Sequence, residues 1–343
     1  MTKQEKRALA NRIFSGVGLG IGGAILIWLI VYVRSHGELM QMVRSIRPVW
    51  LVGAALCVPV SETIDVLIFY YMGRRAGCRP RLAGCFDTVY IGEFYYKLGP
   101  AGAPVQLKLM LDAGFPGTVT ASIYLWKFVA NAVVYTVFSL GALVIKCIFF
   151  HENLAPATLV GAGILLGLYV LLCVMVLLGA ARPAVIQRLC RWVLRKLSRF
   201  VRPLAKEGRI DALMGRLDEI CGQLRQYRGD WKMLTGLFVG MALELIALFS
   251  IPAFLYRGLG LAGHGYLEIL LTQGLVMLIT RIVVLPGNVG GAEGSFFLFM
   301  SSVFGATLPV ALVLWRFASF VEVIALGAVW SVGRFAARSL RGR

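Results

Sequence analysis

Apolar residues fall along this chain in runs of about 20 or longer, the length a helix needs to cross a bilayer. Such runs predict full spans at 14–33, 49–71, 117–147, 156–180, 233–256 and 308–333. Two further apolar stretches are broken in the middle. One is "CFDTVYIGEFYYKLGPAGAPVQLKLML" at 85–111, and the other is "LEILLTQGLVMLITRIVVLPGNVGGAEGSFFLFMSSVFG" at 267–305. Proline removes a helical donor and glycine permits a tight turn, so each stretch reads as a helical hairpin with a Pro-Gly tip. The predicted fold is an all-α polytopic membrane protein of six full spans and two broken hairpins.

Polar residues between the runs set the orientation. The segments 1–13, 72–85, 182–232 and 334–343 carry 25 Lys and Arg, against 4 in 34–48, 148–155 and 257–266. Positive loops stay in the cytoplasm, which predicts a cell-membrane protein with both termini inside. On that count the hairpin at 85–111 enters and leaves on the cytoplasmic face. The one at 267–305 starts and ends outside, as a re-entrant pair or as two short crossings. The chain divides into an N-terminal membrane half (1–181), a cytoplasmic linker (182–232) and a C-terminal membrane half (233–343). Within the linker, "AVIQRLCRWVLRKLSRFVRPL" aligns Val185, Leu189, Trp192, Val193, Leu197, Phe200 and Leu204 on one helical face, with the arginines largely off it. That is an interfacial helix suited to the anionic cytoplasmic leaflet.

Composition agrees with the pattern: 59% of the 343 residues are hydrophobic and the mean hydropathy is +0.78. The formal charge of +18 is accounted for by the inside loops, and no nucleic-acid motif accompanies it. Seven scattered cysteines without a CxxC read as reduced, and three distant histidines offer no metal spacing. A GxGxxG through Gly18, Gly20 and Gly23 follows no predicted strand and reads as close helix packing, not as a dinucleotide site. The first apolar run is too long for a signal-peptide core and is expected to stay as a helix. No cofactor is expected.

The two membrane halves repeat the same order of features. A span carrying an acid (Glu62, then Glu244) precedes the hairpin, and a span carrying "LWKF" (125–128) or "LWRF" (314–317) follows it. Opposite directions from the charge count make this a predicted inverted repeat, in which broken segments at matching places point to a midplane binding site. Lys127 and Arg316 lie about ten and eight residues into their spans, roughly 12–15 Å deep. A cation at that depth needs a carboxylate, a wet cavity or an anionic ligand. Glu62, Asp65, Glu93, Glu244, Glu293 and Glu322 are the available acids. Two readings stay open: ion pairs that hold the bundle together, or a headgroup site assisted by the free N–H groups of the hairpin tips.

At these residues the chain resembles a known family. "PGNVGGAEGSFFL" followed by "LVLWRF" is similar to the C-terminal signature of the flippase-like family, also called the lysylphosphatidylglycerol synthase transmembrane region, through Pro286, Gly287, Gly290, Glu293 and Arg316. "GPAGAPVQLKLMLDAGF" is similar to the family's first motif through Gly102, Pro104 and Gln106, whereas Lys127 stands where the family often has an acid. The resemblance implies handling of polar lipids at the cytoplasmic membrane. It covers the membrane region without the soluble aminoacyl-transferase domain of the members that make lysylphosphatidylglycerol.

The expected function is therefore translocation or scrambling of a polar, phosphate-bearing lipid, a phospholipid or a lipid-linked substrate, and not enzymatic chemistry. The substrate-binding set is Lys127, Arg316, Glu62, Glu244, Glu293, Gly102, Pro104, Gln106, Pro286, Gly287 and Gly290. The rival readings are a lipid-binding accessory subunit of a lipid-biosynthesis enzyme and, further off, a headgroup-modifying enzyme. Neither a metal-protease motif nor a nucleophile with a nearby base supports the latter.

Overall fold

A computed structural model of the chain describes residues 44–98, 102–145, 156–197, 209–282 and 290–341, with Ile27, Val31, Arg34, Ser35, Gly37, Gln41 and Asn288. Apart from Ile27 and Val31, the predicted span at 14–33 lies outside these, as do the hairpin-tip residues Pro286 and Gly287. Among the described residues every regular element is helical. Four segments are long and apolar enough to cross a membrane: Pro48–Arg75, Val119–Ile145, Trp231–Gly258 and Gly291–Ala336. They contain most or all of four predicted spans. The predicted span 156–180 forms a helix as well, Pro156–Ala181.

The first long helix, α1 (Pro48–Arg75), carries apolar residues on both its exposed and its buried sides, as a helix between lipid and protein must. Val52, Leu56, Val60 and Leu67 make an exposed stripe, while Val58, Val66, Phe69 and Met72 are buried. The first hairpin follows as α2 (Leu82–Phe86), a π-helical turn (Asp87–Ile91) and α3 (Gly92–Leu98), returning as α4 (Gly102–Asp112). Its base is closed: Arg81 donates its N–H to Ala113 O at 3.1 Å, and a Cβ on Gly84 would stand 2.6 Å from that of Ala113. The two arms of the hairpin thus meet again at its base. Its second arm, at 11 residues, rises only about 17 Å, well short of a ~30 Å hydrocarbon core.

The next helices are α5 (Gly117–Ile145), α6 (Pro156–Ala181), α7 (Pro183–Leu197) and α8 (Arg209–Tyr227). Helix α8 packs on α5, α6 and α7, with Gln187 Nε2 donating to Asp218 Oδ1 at 2.5 Å. On α7, Val185, Leu189, Trp192 and Val193 are exposed to different degrees, the expected face of an interfacial helix. Phe200 and Leu204, expected on the same face, lie outside the described residues.

The second half opens with α9 (Trp231–Phe249), capped by Asp230, whose carboxylate accepts from Met233 N. Helix α10 (Ile251–Gly258) continues it after a proline at 252. The second hairpin is α11 (Tyr266–Ile282) and α12 (Gly291–Phe304). Its base also closes: Tyr256 accepts the His264 N–H at 3.1 Å and meets Phe304 edge-on at 5.8 Å. With 14 residues, α12 rises about 21 Å, too short to cross. The 46-residue stretch Gly291–Ala336 is therefore not one crossing. Gly305, at φ 50°, reverses the chain, and Phe296 on α12 stacks on Trp315 of α13 (Leu308–Arg316) at 4.6 Å. A second π-helical turn (Phe317–Val321) then leads into α14 (Glu322–Arg341).

The halves exchange contacts reciprocally. Helix α1 lies antiparallel to α9–α10, with Gly53 against Phe254, Ile68 against Gly240 and Tyr71 against Gly236. The first hairpin packs on α14 of the other half: Tyr90 stacks on Trp330 at 5.4 Å, and Gly327 has no room for a side chain against Phe94 and Tyr90. The second hairpin packs on α5 of the first half, where Ser139 donates to Gly274 O at 3.1 Å and Phe138 lies on Gly274. Both exchanges are antiparallel. Phe138 and Gly327 each lie twelve positions after the Trp of their tetrapeptides, Trp126 and Trp315.

Candidate functional site

Two ion-paired nodes are buried in this bundle. In the first, Lys127, two and a half turns into α5, donates to Asp65 Oδ2 on α1 at 2.5 Å. The pair is nearly closed off, with 14% and 5% of the two side chains exposed. The Lys127 ammonium also lies 4.4 Å from the centre of the Phe69 ring, a cation–π arrangement that suits a desolvated cation. Glu244 of α9 and Glu93 of α3 act on the same charge. Four elements from both halves thus converge on one lysine.

In the second node, Arg316 at the end of α13 reaches back to the tip of the second hairpin. Its Nε donates to Glu293 Oε1 at 2.8 Å, and its Nη2 lies 2.6 Å from the same oxygen. The Asn288 carbonyl also lies 3.5 Å from Nη2. Glu293 Oε2 accepts the Gly290 N–H at 2.7 Å, closing the first turn of α12 in the manner of a capping-box acid. Two left-handed residues shape this tip, Asn288 at φ 52° and Gly290 at φ 81°. Glycine and, less freely, asparagine adopt that conformation without a large steric cost. Trp315 and Phe320 flank the guanidinium at 5.4 and 5.6 Å. Each cation has its own carboxylate on a different element, so the two nodes are distinct rather than one shared pair.

The remaining predicted residues separate by role. Gly102 is buried where α4 crosses α3, and a Cβ there would collide with Tyr96, whose Cα would be 2.7 Å away. Gln106 is also buried and bridges the two arms of the hairpin, its Nε2 3.5 Å from Thr88 O. Both hold the hairpin shut. Pro104 is exposed. Glu62, one turn before Asp65, is buried with Oε2 unpartnered; the charges that act on it are Glu93, Lys97, Asp65 and Glu322. The ion pair with Lys127 is made by Asp65, one turn further along the same helix.

Three further features carried no signal in the sequence pattern. Asp87 accepts from Trp330 Nε1 at 2.9 Å and from Arg334 Nη2 at 2.6 Å, locking the first hairpin to α14. Tyr96 and Tyr124 bring their hydroxyls into contact between the hairpin and α5. Gln273 on α11 is fully buried with neither amide atom partnered.

Helices of membrane length, with charged groups sealed among them, define a multi-pass integral membrane protein. A family model described as the lysylphosphatidylglycerol synthase TM region matches residues 14–327. The chain belongs to that family, whose membership links it to lipid handling. No curated protein matches it closely.

Proposed function

We propose that this protein carries the polar headgroup of a phosphate-bearing lipid across the cytoplasmic membrane, with the acyl chains remaining in the bilayer. The observation that carries the reading is the reciprocal packing of the two closed hairpins, each against the span that follows the hairpin of the other half. That exchange, antiparallel on both sides, is what an inverted repeat about an in-plane axis produces, and such repeats place their sites at the hairpin interface. The full architecture under this reading is six spans and two hairpins, with both termini in the cytoplasm as the loop charges require.

Lys127 and Arg316 are the groups that would meet phosphate. In the unliganded protein Asp65 and Glu293 hold them, since an unpaired cation at that depth is costly. An arriving phosphate would exchange with those carboxylates. The tip N–H groups around Gly290 would add donors, with Glu244 beside the Lys127 charge. The reading requires no catalytic group and no bound cofactor.

The test is leaflet exchange in proteoliposomes containing fluorescent phospholipids or labelled lipid-linked sugars. The protein should accelerate exchange over empty liposomes, and Lys127→Met and Arg316→Met, each shown to be monodisperse, should abolish the acceleration. A chemically altered headgroup would point to an enzyme. Lipid binding without exchange would point to an accessory subunit of a biosynthetic enzyme.

A further inference from the structure

Glu62 is a buried acid that neither cation node uses as its ion-pair partner. It is 7% exposed, and its Oε2 has no hydrogen-bond partner. The charges that act on it are Asp65 on its own helix, Glu93 and Lys97 on α3, and Glu322 at the start of α14. Tyr90 of the first π-helical turn faces it too. Lys127 of α5 is engaged by Asp65, and Glu244 of α9 faces that lysine. Three of the four charged neighbours of Glu62 are therefore acids.

A carboxylate sealed from water among other carboxylates carries a heavy desolvation and repulsion cost unless a cation accompanies it. Among the described residues no three His, Cys, Asp or Glu side chains stand close enough to hold a metal ion together. A proton requires a single oxygen, and Glu62 Oε2 is a single free oxygen.

We propose that Glu62 is a proton-binding site at the seam between the halves, loaded and emptied as the halves move, so that a proton gradient drives headgroup transport. The step is plain acid–base transfer: hydronium on one side yields a proton to Oε2, and the carboxylic acid later returns it to water on the other, with no electrons exchanged. The seam supplies the coupling. Asp65 and Glu62 share one face of α1, Glu93 belongs to the first hairpin and Glu322 to the other half. Any shift of the first hairpin or of α14 against α1 changes how many acids crowd Glu62, and so changes its hold on the proton. The coupling rests on the transport reading; proton occupancy at Glu62 does not.

Two measurements on the full chain in liposomes test the proposal. Infrared difference spectroscopy during a pH titration should show a protonated-carboxyl band that is lost in Glu62→Gln. In Glu322→Gln the band should persist but disappear at lower pH, because one repelling charge has gone. Leaflet exchange of the fluorescent phospholipids should be accelerated severalfold by a pH gradient in the wild type, and Glu62→Gln should be indifferent to the gradient. A band unaffected by Glu62→Gln, or its disappearance on adding sodium chloride at constant pH, would overturn the proton site. Exchange indifferent to the gradient in the wild type would overturn the coupling. Should the wild type exchange no lipid at all, the transport reading and with it the coupling fall, while the infrared result still decides the site.

Discussion

Removing the carboxylate from the first node should reveal how much of the bundle rests on it. In Asp65→Asn the volume of the side chain is kept and only its charge is lost, leaving Lys127, with 14% of its side chain exposed, without its partner at 2.5 Å. Breaking a buried pair by removing one member typically costs about 3–5 kcal/mol. Glu93 and Glu244 still act on the ammonium, so the loss here should be smaller, roughly 2–3 kcal/mol. In the double variant Asp65→Asn/Lys127→Met no charge is stranded, and stability should return to within about 1 kcal/mol of the wild type, since removing both ions also removes both desolvation costs. Reversible unfolding in mixed micelles, analysed as a double-mutant cycle, measures both quantities. If Asp65→Asn matches the wild type, or if the double variant is as unstable as the two single losses added, the pair is not a buried, mutually dependent one and the account of the node is wrong.

Other consequences follow from the same geometry. Glu293→Gln should destabilise the fold by about 3 kcal/mol, since Arg316 keeps its buried charge and loses its carboxylate; thermal melting of the purified variant reads this. Gly327→Ala should lower the melting temperature, because its Cβ would stand 2.6 Å from both Phe94 Cβ and Tyr90 O, whereas Gly333→Ala, with nothing within 4 Å, should be neutral or slightly stabilising. At the surface, Arg75 and the Met233 N–H hold the Asp230 carboxyl below its ordinary value near 3.8. A lowered acid stabilises the fold above its unfolded pKa and loses that contribution as pH falls through the folded value. Acidification below about pH 4 should therefore cost the wild type a component that Asp230→Asn lacks, visible as a smaller acid shift in the variant's melting temperature.

Much of this architecture was legible in the chain itself. Apolar runs longer than a bilayer needs mark the spans because lipid demands them, and the Pro-Gly interruptions mark the hairpins because a helix cannot continue through them. The two cations stood out for the same reason: nothing but a partner tolerates a charge there. Which acid would serve each cation was not legible. Glu62 and Asp65 are three residues apart on one helix, and only the packing of α5 against α1 selects Asp65 for Lys127. The reversal at Gly305, which returns Arg316 to Glu293 at the hairpin tip, likewise depends on a glycine conformation that composition does not announce. Hydropathy is a local property and each run carries its own. The meeting of Asp87 with Trp330 and Arg334 joins residues as much as 247 positions apart, so only the closed bundle could decide it.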